Sequence, residues 1–403
     1  MSRRFTVYRR CVARTGPVGI VISSRAHPKS VRRSKRRFGI RAAESNKHLK
    51  FGNDNAFHRE IRRRVDDYFQ TTGRRRRDCW RMYVKTAVFI AGFAASYVLL
   101  VFVAQTWWHG LPLAVVLGLS VAGIGLNVQH DGGHQAYSSS PWVNKLMAMT
   151  LELIGGSSYL WHWKHGVLHH TYVNVTGRDT DIDLGVLARL TPHQTRRAYH
   201  RWQHLYLWPL YGLLAIKWQL FDDFRKLITG RISTERFPRP KGRDLAIFAA
   251  GKAVFFTLAF GIPLGLHSAD TVLIFYAAAS LVAGMVLSVV FQVAHCVEEA
   301  EFPLPRADSG RIEHAWAVHQ AVTTVDFARR SRVVTWLLGG LNFQIEHHLF
   351  PKISHVNYPA ISSLVETTCR DFGIPYAEHR SFRAGIASHF RWLRRMGSQS
   401  TSR

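Results

Sequence analysis

Acidic side chains are scarce in this chain of 403 residues: 26 Asp and Glu stand against 54 Lys and Arg, a formal net charge of +28. An imbalance of that size leaves three classes of partner, namely nucleic acid, an anionic membrane surface or an acidic substrate. Cysteine is rarer still. Cys11, Cys79, Cys296 and Cys369 have no paired spacing, which excludes a disulfide framework and a CxxC metal site and leaves reduced structural thiols. No GxGxxG string opens a helix after a strand, so the chain lacks a nicotinamide or flavin fingerprint of its own. Charge is nearly missing from four runs, 86–106, 111–129, 245–266 and 271–294. Each is long enough to cross a bilayer, which takes about 20 mostly apolar residues. Four such runs in two close pairs favour membrane spans over buried core helices, and they make a membrane rather than nucleic acid the partner of the positive charge.

The pairing sets a topology. The links 107–110 and 267–270 contain no Lys or Arg, whereas 74–77, Arg81 and Lys85 precede the first run and Arg196, Arg197, Arg225, Lys226, Arg231 and Arg236 precede the third. By the positive-inside rule, both termini and the large middle loop are cytoplasmic. The expected fold is an all-α integral membrane protein, with four transmembrane helices in two hairpins under a cytosolic helical cap. Residues 1–50 are basic and read as a disordered tail, with a transit peptide or a misread start as alternatives. Segment 51–85 places Phe57, Ile61, Val65 and Phe69 at helical spacing amid charge, which predicts an amphipathic helix lying on the membrane surface. Two shorter apolar stretches, 146–160 and 205–218, predict interfacial or re-entrant helices, and the tryptophans at 161, 163, 202, 208 and 218 suit a belt at headgroup level. Segment 381–403 reads as a basic C-terminal tail.

Three histidine clusters lie on the side this topology makes cytoplasmic. They are HDGGH at 130–134, HGVLHH at 165–170 and QIEHH at 344–348. Seven histidines, His130, His134, His165, His169, His170, His347 and His348, are too many for one four-coordinate zinc, and two metal ions fit the count better. On a helix, residues four apart share a face, so His130 with His134 and His165 with His169 can approach one metal, while His170 points about 100° further round. His295, at the end of the fourth run, joins them as an eighth ligand. Gln344 can ligate weakly or hold a water, and Gln292 can orient one. Asp131, Glu346 and Asn342 are candidates for the partners that fix imidazole tautomers, and each reads equally well as an ordinary polar group. His109 and His267 lie in the outer links, away from the boxes. His162 is off the spacing, and His193, His200, His204, His314, His319, His355, His379 and His389 read as ordinary histidines. Imidazole suits zinc, copper, iron and nickel alike. A nitrogen-rich pair beside lipid has little use as a hydrolytic zinc site, whereas two irons with dioxygen can break an unactivated C–H bond, given two electrons from outside.

HDGGH, WKHGVLHH and GGLNFQIEHHLFP, in this order, resemble the membrane fatty acid desaturase family. Gln344 at the head of the third box is similar to the front-end group, which includes Δ6, Δ5 and Δ8 desaturases. FHREIRRRVDDYF followed by CWRMYVKTAVF resembles bacterial linoleoyl-CoA desaturase-type members. The resemblance runs from about 51 to 376 and implies a desaturase domain over 86–380. It implies a non-haem di-iron oxygenase with the eight named histidines as ligands and the seven box histidines carrying the chemistry. Dioxygen is the co-substrate, and a fatty acyl-CoA or acyl-lipid in the membrane gains a cis double bond. Many front-end members carry a fused cytochrome b5 domain with an HPGG motif, whereas here the similar string is only HPKS at 27–30. Electrons are therefore expected from an external ferredoxin or cytochrome b5 and its reductase, and the basic surface suits an acidic carrier. The expected location is a bacterial inner membrane with the site on the cytoplasmic side. A di-iron hydroxylase or ketolase is the alternative within the enzyme class, and a bis-histidine haem electron-transfer protein the alternative outside it.

Overall fold

The structure, a computed structural model, describes residues 49–399; apart from Leu49 and Lys50, the basic segment 1–50 lies outside the described residues. Four helical stretches are long and apolar enough to cross a membrane: Trp80–Val103, Trp107–Gly133, Arg243–Leu264 and Ala269–His295. They cover the four expected runs apart from the end residues 104–106 and 265–266. The second extends beyond its apolar run to Gly133 and so carries the first box on its last turn. Small residues let the second and fourth helices meet at the backbone: a Cβ on Gly118 would lie 2.3 Å from the carbonyl oxygen of Ala279.

The chain between the second and third of these helices breaks into short helices. Pro141–Ala148, Thr150–Leu153 and Ser158–Trp161 lead to the second box, and Gln203–Gly212, Leu214–Lys217 and Asp223–Thr229 lead away from it. Trp142, Trp202 and Leu205 are exposed there. After His295 come Trp316–Val322, Arg332–Leu337, Gln344–Leu349 with the third box, Tyr358–Asp371 and Phe382–Ser398.

Three expectations change. The fold is mostly helical rather than all-α, because Arg231–Ile232 pairs antiparallel with Glu235–Arg236 and Asp326–Phe327 pairs parallel with Glu378–His379. The helix Ala56–Thr72 does not turn its apolar stripe to the membrane. Phe57, Ile61, Val65 and Phe69 are buried against Ile345, Leu349, Ile361 and Val365, and Arg64 bonds Asp371 across the same interface. A stripe at helical period states only that one face is apolar, and a protein surface covers it as well as a lipid surface does. The C-terminal segment is likewise no tail. In Phe382–Ser398 the residues Trp392, Leu393 and Met396 enter a core with Leu207, Tyr211, Val293 and Phe302, while Arg391 and Arg395 reach Glu298 at its rim. Its basic composition concealed an amphipathic helix.

Candidate metal centre

Each box is presented by a distorted or terminal piece of helix. A π turn, Gly125–Gln129, precedes His130, and the second box runs through a π segment, His162–His169, into His170–Tyr172. Such widened turns shift helical register and recur at functional sites. Here His165, His169 and His170 all take part in the cluster, although ideal α spacing would separate the third from the other two. The third box lies on Gln344–Leu349, and His295 ends the fourth long helix.

Nitrogens of all eight histidines converge. His130, His134, His165 and His347 present ring nitrogens within 4.8 Å of one another, as do His169, His295 and His348, and also His170, His347 and His348. Ring centroids are 4.5 Å apart for His130 and His347, 4.4 Å for His134 and His170, and 4.8 Å for His169 and His295. His134 Nε2, His169 Nε2, both nitrogens of His170, His295 Nδ1, His347 Nε2 and His348 Nε2 are buried without a hydrogen-bond partner. Orphaned buried polar atoms are costly, and metal ions among these rings would satisfy them. The donor set therefore fits metal, and more than one ion.

Protonation agrees with that use. Burial first, and neighbouring imidazoles second, hold His170, His347 and His348 well below the ordinary histidine range. Burial lowers His165 to about 4 despite the nearby carboxylate of Asp181. These rings are neutral at pH 7, with lone pairs free for a metal. His169 differs: burial opposes its charge, but the charge and hydrogen bond of Asp179 outweigh burial and raise its pKa.

The partners that orient the rings come from elsewhere in the chain. Asp179 Oδ2 lies 3.0 Å from His169 Nδ1, Gln320 Oε1 lies 2.9 Å from His348 Nδ1, and the Tyr358 hydroxyl lies 3.2 Å from His347 Nδ1. In all three rings, a partner at Nδ1 leaves Nε2 for the centre. Asp181, ion-paired with Lys164, stands 3.6 Å from His165 Nδ1 and 3.8 Å from His169 Nδ1.

None of the three residues expected in this role bonds one of the eight rings. Asp131 accepts from the His355 backbone and ring and from Ser354, and His355 in turn meets Lys85 Nζ at 2.7 Å. Asn342 donates to Thr335 Oγ1 and the Ala328 carbonyl. Glu346 Oε1 lies 2.9 Å and Asp326 Oδ2 2.6 Å from the Tyr376 hydroxyl, whose single proton the two carboxyls share. On their helices Asp131 and Glu346 each point about 100° from the ring beside them, on the side away from the cluster, and Asn342 lies before the helix Gln344–Leu349. One signal for the real partners was present. Asp179 and Asp181 belong to RDTDID, an acidic run just past the second box in an acid-poor chain. Gln292 and Gln344 are buried, each with an unpartnered Oε1. His162 belongs to none of the metal-capable groups among the described residues.

The first and third boxes are locked together by backbone. Gly339, at φ +63°, sits so close to the second long helix that a Cβ would lie 2.1 Å from the Leu126 carbonyl oxygen, and Asn127 Nδ2 donates to the Leu337 carbonyl at 2.9 Å. On the membrane side, an apolar cavity between the long helices is lined by residues including Phe93, Leu117, Ile154, Phe255, Tyr276 and Ala283.

Four apolar helices of spanning length, capped by buried histidine clusters able to hold metal, define a membrane protein of the histidine-box type. Residues 105–380 match the model described as fatty acid desaturase, and the chain belongs to that family. It is similar to the sn-1 linoleoyl-lipid 6-desaturase of Arthrospira platensis, 38% identical over 347 residues that cover 86% of this chain and 94% of the relative. The enzyme of the same name from Synechocystis sp. is 35% identical over 353 residues, 87% of this chain and 98% of the relative. An acyl-lipid (8-3)-desaturase of Physcomitrium patens is 36% identical over 345 residues, 85% and 72% respectively. The protein is thus an oxidoreductase of lipid metabolism, a fatty acid desaturase.

Proposed function

We propose that the enzyme holds two iron ions among His130, His134, His165, His169, His170, His295, His347 and His348, and introduces a cis double bond at the Δ6 position of a lipid-bound linoleoyl chain. The observation that carries this reading is the convergence of eight imidazoles whose buried nitrogens lack partners. Two irons bound there would supply, with dioxygen, an oxidant able to remove hydrogen from unactivated methylenes. Position and carrier follow the names of the two cyanobacterial relatives, both sn-1 linoleoyl-lipid 6-desaturases. Acyl-CoA is the competing carrier.

The protein's own residues position and shield. Asp179, Gln320 and Tyr358 hold three rings in the tautomer that turns Nε2 inward. Gln292 and Gln344 offer their unpartnered carbonyl oxygens to a water or the metal. Long apolar helices beneath the site exclude water from the acyl chain, and remote chain contacts select which carbons are presented. The basic flanks of the first and third long helices support two hairpins with the histidines facing the cytoplasm of a bacterial inner membrane. Two electrons per turnover come from an external ferredoxin or cytochrome b5 with its reductase.

Expression in a host of defined fatty acid content tests the reading. New Δ6 double bonds and about two irons per chain are expected. Hydroxy-acyl products without a new double bond would favour the hydroxylase or ketolase reading, and a Soret band would overturn the non-haem site.

A further inference from the structure

The carrier end of the substrate has no assigned place in the reading above. A double bond counted from the carboxyl end leaves the ester only a few bonds from the centre, so the glycerol and headgroup must sit directly beside the histidines.

One cavity of mixed polar and apolar lining lies close to the histidines. It has a volume of about 320 Å³, and its wall includes Gly132 and Gly133, the backbone between His130 and His134. Behind that wall stands Trp161: a Cβ on Gly133 would lie 2.2 Å from its indole, and the indole packs 5.1 Å from the His134 ring and 4.7 Å from the His165 ring, centroid to centroid. One helical turn and one indole separate the cavity from the imidazoles.

Exposed apolar side chains flank the cavity. Lys145 lines it from the helix Pro141–Ala148, whose Trp142 and Leu146 are 69% and 50% exposed. Asp244 and Ile247 line it from the start of the third long helix.

Charge then selects the carrier. Among the lining residues Lys145 is the one cation and Asp244 the one anion, and they lie 3.9 Å apart. Lys164, the cation nearest the second box in sequence, is taken by Asp181. A CoA thioester brings several phosphate charges, which call for clustered Lys and Arg. Gln135 instead offers an amide and His162 an imidazole, while the Ser158 and Tyr159 hydroxyls donate to Glu152 and to the Pro238 carbonyl and keep lone pairs to accept with.

We propose that this cavity holds the ester and the uncharged polar head of a glycerolipid substrate and discriminates against acyl-CoA. The proposal rests on the desaturase reading given above.

Two experiments on the full-length, iron-loaded enzyme test it. In the first, a glycerolipid with an uncharged sugar head and a photoreactive group on its glycerol is irradiated in vesicles with the protein. Label in peptides spanning 132–162 and 244–247 is expected, with at least a tenfold loss in Ile247→Trp at unchanged iron content. Label elsewhere, or undiminished label in the variant, overturns the proposal. In the second, linoleoyl chains are offered as the sugar-headed lipid in vesicles or as linoleoyl-CoA with an external electron donor. The lipid should be used at least tenfold better, and Asp244→Lys, which leaves two cations in the cavity, should shift that preference at least threefold towards CoA. Equal or better use of CoA by the unaltered enzyme, or an unmoved preference in Asp244→Lys, refutes the assignment. Absence of a new double bond with either carrier would sink the desaturase reading instead, while the labelling result still decides the cavity.

Discussion

The side-chain amide of Asn174 lies 3.0 Å from the carbonyl oxygen of His295, and its Nδ2 also reaches the carbonyls of Glu301 and Thr323 at 3.1 Å each. Asn174 stands four residues after His170, at φ +58°, a left-handed conformation that asparagine tolerates better than most side chains. One amide thus ties the second box to the end of the fourth long helix. Asn174→Ala leaves buried carbonyls without a donor, at about 1–3 kcal/mol for each that stays unsatisfied. We expect a lower thermal midpoint in detergent and reduced iron per chain. An unchanged midpoint would refute the tie.

Asp179→Ala removes the acceptor at His169 Nδ1. Loss of such a partner costs roughly 10–100-fold in metal affinity or activity, measurable by chelator competition. Asn342→Ala serves as the contrast, since its amide bonds Thr335 and Ala328 rather than a histidine, and iron affinity should hold.

Glu152 provides a pH test away from the histidines. Burial pushes its carboxyl up to about 7, against hydrogen bonds from the Ser158 backbone and hydroxyl. Its folded pKa is raised above the unfolded value. The stability it contributes is therefore fully present below the ordinary glutamate range and is lost as pH rises through about 7. Between pH 6 and pH 8 the thermal midpoint should fall, and Glu152→Gln should flatten that slope. A slope equally steep in the variant contradicts the assignment.

Burial, with the facing charge of Asp326, raises Glu346 well above the ordinary carboxyl range, and burial raises Asp326 too, which favours one proton held between the two carboxyls. Glu346→Gln keeps both shape and donor, and near-normal turnover and iron content are expected. Glu346→Ala strips Asp326 of that donor, at about 1–3 kcal/mol, and should lower the yield of folded protein. Equal behaviour of the two variants would dispose of the shared proton.

Gly339→Ala forces a methyl group against the Leu126 carbonyl at a position with φ +63°. The third box would have to move off the second long helix. Folded protein and bound iron should both fall severalfold, whereas Gly310→Ala, also at positive φ but with open space around its Cβ position, should cost only about 1 kcal/mol in backbone strain. Similar losses in both would show that strain rather than contact is responsible.

Much of the architecture was legible from local pattern. The runs 86–106, 111–129, 245–266 and 271–294 lie within the four long helices apart from a few end residues, because span length and apolarity belong to consecutive residues. The eight histidines named from box spacing and from the end of the fourth run are the ones whose rings converge. Legibility failed where a pattern had two physical solutions. The stripe Phe57, Ile61, Val65 and Phe69 suits lipid or protein equally, and Ile345 and Val365 are what cover it. Basic composition at 381–403 concealed the helix whose Trp392 and Leu393 enter the core.

Chain order alone determined that the first box and His295 stand at the ends of apolar helices and that two further boxes lie outside the spans, since ligand type and helix length are properties of short segments. Which group holds each imidazole was decided only in three dimensions. Neighbours such as Asp131 and Glu346 point away from the centre by the turn of the helix, while Asp179, Gln320 and Tyr358 arrive from 10, 28 and 11 residues away in sequence. Hydrogen bonds depend on where folded segments meet, and no local period encodes that meeting.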